Sequence, residues 1–328
     1  MVLPALIIVT PALAAANNGN WQTARRWARL LAGHYRVRLS DAWTDGDEDL
    51  MIALHARRSA SSVAAWRRAP HALAHNLVLV LTGTDLYRDI DDDAAAQQSL
   101  VWADRLVVLN ELGLQRLPAA VRDKGRVCLQ STPARRPLAK TGRHLRALMV
   151  GHLRDEKSPQ TYFEAARRLA QRHDILLDHI GSGLDEGLAV QARQLMQMQP
   201  RYRWLGGLAH AVTRSRIQAA HVLVHASRME GGAHVVTEAI TSGTPVLASR
   251  IDGNLGLLGA DYGGTFDWGD AQGLATLLER CRDDATMLPA LQQQCAARAG
   301  LFDPDRERQT LLDLLAGLQP LAPPWRTR

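Results

Sequence analysis

Hydrophobic residues run through this chain in short bursts separated by amphipathic stretches. Leu6-Ile7-Ile8-Val9 is the first burst, within a segment from Ala5 to Thr10. A continuous run of that length reads as a strand buried on both faces. Over Gln22 to Ala32 the period changes. Ala24, Trp27, Ala28 and Leu31 fall on one helical face, and Gly33 stands where a helix-ending glycine belongs. Tyr35 to Leu39 alternates as a half-exposed strand does. Further apolar runs follow at 50–54, 77–81, 106–109 and 126–129. Residues 133–142 (PARRPLAKTG) have no periodicity and read as a linker. The rhythm then restarts. Strands are predicted over 147–150, 175–180, 202–205, 222–225 and 245–248, and helices over 158–172, 187–197, 211–219 and 232–242. A last helix is expected near 305–315.

Two series of alternating strand and helix predict an α/β protein with two doubly wound parallel sheets. Ligands of such sheets bind beyond the carboxyl ends of the strands, so the chemistry should sit in the loops that follow them. The chain has 328 residues, enough for two domains. They are placed at 1–138 and 139–304, with 305–328 as a helix that crosses back to the first domain and a tail.

Composition narrows the picture. Hydrophobic residues make up 46% and charged residues 22%, a globular balance that excludes disordered and collagen-like classes. The net charge of +6 favours an anionic ligand. The arginines come as pairs such as Arg25-Arg26, Arg67-Arg68 and Arg167-Arg168, with no long basic run, so nucleic acid is not the expected partner. Cys128, Cys281 and Cys295 form no CxxC pair and are odd in number, which argues against a disulfide framework or a zinc site and for a reducing, cytoplasmic setting. Residues 1–16 imitate a signal peptide but lack a basic start, and βα rhythm favours a strand there. No stretch reaches the roughly 18–20 apolar residues of a membrane span, so stable membrane insertion is not expected.

The richest segment is SRMEGGAHVVTEAITSGTP, residues 227–245. A strand precedes it, Gly231-Gly232 form a turn, and Glu230 and Glu238 bracket the turn with seven residues between them. A strand, a glycine turn and a helix start make an anion site from free N–H groups, here those near His234 and Val235. Glycine at 231 and 232 is expected to let the backbone approach a diphosphate. Were the whole interval helical, the two carboxylates would stand about 12 Å apart along the axis. Each can accept hydrogen bonds from vicinal hydroxyls, one from a ribose and the other from a sugar. A capped surface helix with two solvated glutamates is the plain alternative.

A second segment, VGHLRDEKS, spans 150–158. Arg154 and Lys157 lie at the strand-to-helix turn, where a cation opposes the helix dipole unless an anion meets it. Without a metal, such cations must neutralise the charge that builds on a leaving diphosphate. A third, IDGNLGLLG, places Gly253 and Asn254 in an Asp-Gly-Asn turn whose backbone N–H groups can reach a phosphate or sugar.

Together these segments resemble the large retaining family 4 of glycosyltransferases with the GT-B fold. Glu230/Glu238 match its E-x7-E motif, and Gly151, Leu153, Glu156 and Lys157 match its Gly-Arg-Leu-x-x-Glu-Lys-Gly pattern. His152 stands where that pattern has Arg, and Ser158 where it has Gly. The resemblance implies two Rossmann-like domains facing a central cleft, a metal-independent reaction with no cofactor, and a nucleotide-sugar co-substrate. It implies that Gly151, His152, Gly231, Gly232, His234, Val235, Glu238, Gly253 and Asn254 line the donor site. Glu230, Arg154 and Lys157 would carry the catalysis.

The first half has a narrower likeness. Asn17 to Thr23 (NNGNWQT), His55 to Ser59 (HARRS), Thr82 to Asp89 (TGTDLYRD) and Arg228 to Val236 (RMEGGAHVV) look like the selenosugar synthases of selenoneine biosynthesis. These join a UDP-sugar, UDP-N-acetylglucosamine or UDP-glucose, to selenophosphate through a carbon–selenium bond, giving a 1-selenosugar. Gly19, Asn20, His55, Arg57, Arg58, Thr82, Thr84 and Asp85 are then the acceptor residues. Arg57-Arg58 can hold a compact anion bidentately. A selenium nucleophile is already anionic at neutral pH and needs positioning more than a base, so His55 and Asp85 would orient it. His55 as a core histidine, Arg57-Arg58 as the start of a solvated helix and Asp85 as an N-cap are the structural alternatives. Three other functions compete: a family 4 enzyme with an oxygen acceptor, a sugar-nucleotide epimerase, and a basic nucleic-acid binder.

Overall fold

The computed structural model describes residues 3–13, 19–70 and 75–318. Asn17 and Asn18 lie outside the described residues. The chain forms two compact units. The first comprises Met1–Ser131, Glu230–Gly232 and the chain from Pro304 onward; the second comprises Thr132–Met229 and Ala233–Asp303.

In the first unit the strands are β1 (Ala5–Val9), β2 (Arg36–Ser40), β3 (Leu50–Leu54), β4 (Asn76–Leu81), β5 (Arg105–Val108) and β6 (Gly125–Val127). Its helices are α1 (Gly19–Leu31), α2 (Ala60–Arg68), α3 (Ile90–Asp92), α4 (Ala94–Trp102) and α5 (Gly113–Arg116). The sheet order is β2-β1-β3-β4-β5-β6, all parallel. Successive residues of a strand face opposite sides, and both sides are buried here. Ile7, Val9, Met51, Ala53, Leu77 and Leu79 enter one core, with Trp43 and Trp66. Leu6, Ile8, Ile52, Leu54, Val78 and Val80 enter the other, with Trp27.

In the second unit the strands are β7 (Leu145–Val150), β8 (Ile175–Ile180), β9 (Tyr202–Trp204), β10 (Val222–His225), β11 (Val246–Ser249) and β12 (Thr265–Phe266). Its helices are α6 (Pro159–Arg168), α7 (Glu186–Met198), α8 (His210–Ala219), α9 (His234–Ile240), α10 (Asp252–Leu258), α11 (Ala271–Asp283) and α12 (Met287–Ala299). The order β12-β11-β10-β7-β8-β9 is again wholly parallel. The expected pair of doubly wound parallel sheets is therefore present.

The final helix, α13 (Pro304–Ala316), packs into the first unit. Its Leu311 and Leu315 join the core around Trp27. Glu307 is buried there and accepts from Arg26 Nε at 3.0 Å, Trp27 Nε1 at 2.7 Å and Ser131 N at 2.8 Å. A buried carboxylate keeps its charge only with such a donor set.

Several elements depart from the periodicity. α9 starts at His234, so Gly231 and Gly232 precede it, and only its C-terminal part carries Glu238. The Asp252–Leu258 segment, expected as an open turn, is the helix α10. Helices α2, α4, α11 and α12 have no counterpart in the predicted pattern. The segment expected as a linker is irregular yet fixed to the second unit. Arg135 N donates to Thr241 O at 2.8 Å, and Gln218 Nε2 donates to Arg136 O at 2.7 Å. Among the described residues no helix is long and apolar enough to cross a membrane.

Candidate active site

Topology locates the site in the second unit. Counting outward from β7, the chain runs to β8 and β9 on one side and returns through β10 to β12 on the other. The switch point lies between β7 and β10, where ligands of such sheets bind. The loops that follow these two strands are VGHLRDEKS and SRMEGGA.

The first loop is held from below. His179 on β8 is fully buried, with Nε2 3.1 Å from Gly151 O and Nδ1 3.1 Å from Tyr202 OH. The carbonyl can only accept, so Nε2 carries the proton and the tyrosine donates to Nδ1. Burial lowers the His179 pKa to about 4, which keeps the ring neutral. Gly181, at φ +159°, faces Gly151 so closely that a Cβ there would sit 1.8 Å from the Gly151 oxygen. Only glycine permits the two turns to meet.

His152 accepts at Nδ1 from Ser182 N at 3.0 Å. Burial first, then Arg154 and Lys157, lower its pKa, so it is a neutral ring that pins the neighbouring turn. It does not replace the cation of the family pattern. Ser158 adopts the left-handed conformation, φ +47°, which suits the glycine that the family pattern has at that place. Its Oγ accepts from Trp268 Nε1 at 2.8 Å. Lys157 lays its stem along Gly151, with Cγ 3.4 Å from where a Cβ would stand. Arg154 is half exposed, 3.9 Å from Glu156.

The two loops are joined directly, since Arg228 N donates to Glu156 O at 2.9 Å. The Arg228 guanidinium lies over the Trp268 ring, 5.0 Å from its centre. Beyond this point the chain contributes Glu230–Gly232 to the first unit. A Cβ on Gly231 would lie 2.4 Å from the Thr82 carbonyl, and one on Gly232 would lie 2.8 Å from Leu109 Cβ. Asn110 Nδ2 donates to Gly231 O at 2.8 Å. Close approach to protein backbone therefore demands glycine at 231, a reason additional to the one expected. It brings Gly231, expected at the donor site, together with Thr82, expected at the acceptor site.

His234 and Val235 open α9, and Glu238 lies one turn on, buried. Its Oε1 accepts from His210 Nε2 at 2.6 Å and lies 3.3 Å from His234 Nδ1 and 3.9 Å from Arg214 Nη1. Burial alone would raise the Glu238 pKa, but His210 and His234 outweigh it and hold it down to about 2. His210, the first residue of α8, is not among the site residues expected from the sequence. Its spacing to Glu238 carries no motif; only its place after β9 marks it. Gly253 and Asn254 are buried on α10. The Asn254 N–H is spent on Ile251 O at 3.0 Å, and its side chain donates to Ser249 O at 2.9 Å. Asn254 braces β11 and does not present a backbone donor.

In the first unit the switch point lies between β1 and β3. Gly19 and Asn20 begin α1 after the first of these. His55 follows the second, buried and at φ +74°, a strained conformation for histidine. Its Nε2 is 3.1 Å from Thr84 Oγ1, and its Nδ1 accepts weakly from Arg58 N at 3.4 Å. Burial is the main cause of a lowered His55 pKa, opposed by Asp85 and assisted by Arg58. Asp85 is fully buried and accepts from the N–H groups of Ala56, Thr82 and Gly83, each at 2.9 Å. It ties the ends of β3 and β4 together. Asp89 lies 3.1 Å from Arg57 Nε and accepts from Arg88 Nε at 2.9 Å. Arg58 is exposed.

Residues 131–299 match the family model of the glycosyl transferases group 1. No curated protein sequence matches the chain. Among solved structures, the sucrose-phosphate synthase (tll1590) of Thermosynechococcus elongatus is 18% identical with TM-score 0.78, over 97% of this chain and 99% of that one. Anabaena HepE, solved with UDP and glucose, is 15% identical with TM-score 0.75, over 96% and 100%. The lipopolysaccharide outer core galactosyltransferase WaaB is 13% identical with TM-score 0.66, over 97% and 100%. With its two parallel six-stranded sheets and a family match across more than half its length, the chain belongs to the group 1 glycosyl transferases and is a glycosyltransferase of the GT-B fold.

Proposed function

We propose that this enzyme moves a sugar from a UDP-sugar, UDP-N-acetylglucosamine or UDP-glucose, to selenophosphate in the cytoplasm, without a metal. The donor side is supported by the β7–β10 switch point and by HepE, whose structures hold UDP and UDP-glucose. Glu238 accepts from the ribose hydroxyls, Glu230 orients the sugar, and Lys157 and Arg154 neutralise the diphosphate as it leaves. Selenium contributes the electron pair for the new C1–Se bond, and the C1–O bond to the diphosphate breaks to release UDP. Water then takes the phosphoryl group from selenium, leaving a 1-selenosugar and phosphate.

The observation that carries the acceptor assignment is the exposed Arg57-Arg58 pair that follows β3 beside His55. Asp85 is consumed by three backbone N–H groups, whereas the buried Asp89 Oδ2 makes no hydrogen bond and lies 3.1 Å from Arg57 Nε and 3.9 Å from His55 Nε2. A nucleophile that arrives ionised needs only positioning, and a pair of guanidinium groups suits a compact anion. The test is UDP release from UDP-N-acetylglucosamine and UDP-glucose with selenophosphate, phosphate, thiophosphate or glycerol present, with selenium NMR to detect a C1–Se bond. Release dependent on selenophosphate supports the proposal. Turnover with an alcohol but none with selenophosphate rejects it and favours an oxygen acceptor.

A further inference from the structure

The second unit holds a side-chain cluster whose chemistry exceeds what a ribose contact needs. The donor atoms of His210, His234 and Glu238 all lie within 4.8 Å of one another. His234 and Glu238 are four residues apart on α9, one above the other on the same face. His210 closes the triangle from the first position of α8. Its Nε2 stands 2.6 Å from Glu238 Oε1, and His234 Nδ1 stands 3.3 Å from the same oxygen.

Two imidazoles and one carboxylate form a ligand set for zinc-class ions. Bonds of about 2.0–2.1 Å in a tetrahedron place the ligand atoms roughly 3.3 Å apart. The His234 arm already has this span. The His210 arm must open by less than about 1 Å, and its side chain, 59% exposed, is free to do so. Glu238 is 2% exposed, whereas the His210 and His234 side chains are 59% and 26% exposed, so an ion can reach the cluster from solvent. Arg214 is the opposing influence. Its guanidinium, held by Thr132 and by Pro133 O at 3.0 Å, lies 3.9 Å from Oε1. A fixed positive charge so near weakens any cation, which suits a reversible site better than a structural one.

The geometry points to a zinc-class divalent metal site made by His210, His234 and Glu238, whose occupancy excludes the nucleotide. The exclusion rests on the proposed role of Glu238 toward ribose; the metal site does not. The ion captures the carboxylate that the ribose would use, so it acts as an inhibitor and takes no part in transfer.

Calorimetric titration of the tag-free protein with zinc chloride alone tests the site. One ion should bind, and His210→Asn and His234→Asn should each weaken it at least 10-fold. His34→Asn, an exposed histidine elsewhere, should leave it unchanged, and magnesium should give no heat at the same concentration. Melting curves of both variants must match the parent. No zinc binding, or binding that survives both substitutions, overturns the site. UDP titrations with and without zinc test the exclusion. Saturating zinc should weaken UDP at least 10-fold in the parent and not in the double variant; simultaneous binding overturns the exclusion. Failure of UDP to bind in the absence of zinc would defeat the donor reading and leave the metal site standing.

Discussion

The two switch points solve the same topological problem with opposite chemistry. At β1–β3 the buried carboxylate, Asp85, is saturated by backbone N–H groups and serves as a staple between strand ends. At β7–β10 the buried carboxylate, Glu238, is contacted by the partly exposed side chains of His210 and His234. One acid holds the fold and the other is placed for a ligand. Burial and charge are similar in both; what separates them is whether main chain or side chains make the contacts.

Substitutions should expose this difference. The largest effect is expected at Glu230. Glu230→Ala should lower kcat by about 10²–10³-fold, the scale of losing one transition-state contact, with thermal unfolding within a degree or two of the parent. A near-normal turnover would break the assignment of the acidic pair. Asp85→Asn should act in the reverse sense. Its amide cannot accept at both ends, so unfolding free energy should fall by about 2–3 kcal/mol, measured in denaturant. Glu238→Gln should instead keep stability and weaken UDP about 10-fold, roughly 1.4 kcal/mol. If both variants lose stability equally, the contrast is void.

Much of this arrangement was legible in the residues. Apolar runs such as Leu50–Leu54 and Val222–His225 marked the strands, since both faces of a parallel sheet are buried. Helices α2 and α4 were not legible: ASSVAAWRR and AAAQQSLVW are built of small residues without a clear apolar stripe. A second reason for glycine at 231 and 232 was hidden, because what crowds them, Thr82–Gly83 and Leu109, is remote in sequence. His210 was invisible for the same cause. The polar pair Asp178-His179 inside ILLDHI was a signal of its own: His179 supports Gly151, and Asp178 pairs with Arg146 and Arg203.

That support carries a pH dependence. The folded-state pKa of His179 is lowered to about 4 from an ordinary 6.5. The unfolded chain therefore binds the proton first as pH falls. The neutral ring's contribution is complete above about pH 6.5 and is lost down to about pH 4, on the order of 3 kcal/mol. Comparing denaturant unfolding of the parent and His179→Gln between pH 7 and pH 4 checks this; parallel curves would refute it. The smallest effect is expected for Ser158→Gly. Relief of the left-handed backbone and loss of the Trp268 hydrogen bond oppose each other at about 1 kcal/mol each, so the melting temperature should stay within about 2 °C. A larger drop would show that the Trp268 contact dominates.

The placement of α13 has a consequence for synthesis. The ribosome delivers the first 131 residues long before the segment from Pro304 that completes the same unit. The gap is about 170 residues, or roughly 10–35 s of translation. Throughout that interval Arg26, Trp27 and the Ser131 amide wait for Glu307, and the apolar surface around Trp27 waits for Leu311 and Leu315. The nascent amino-terminal half is thus the stretch of this polypeptide with most need of a chaperone.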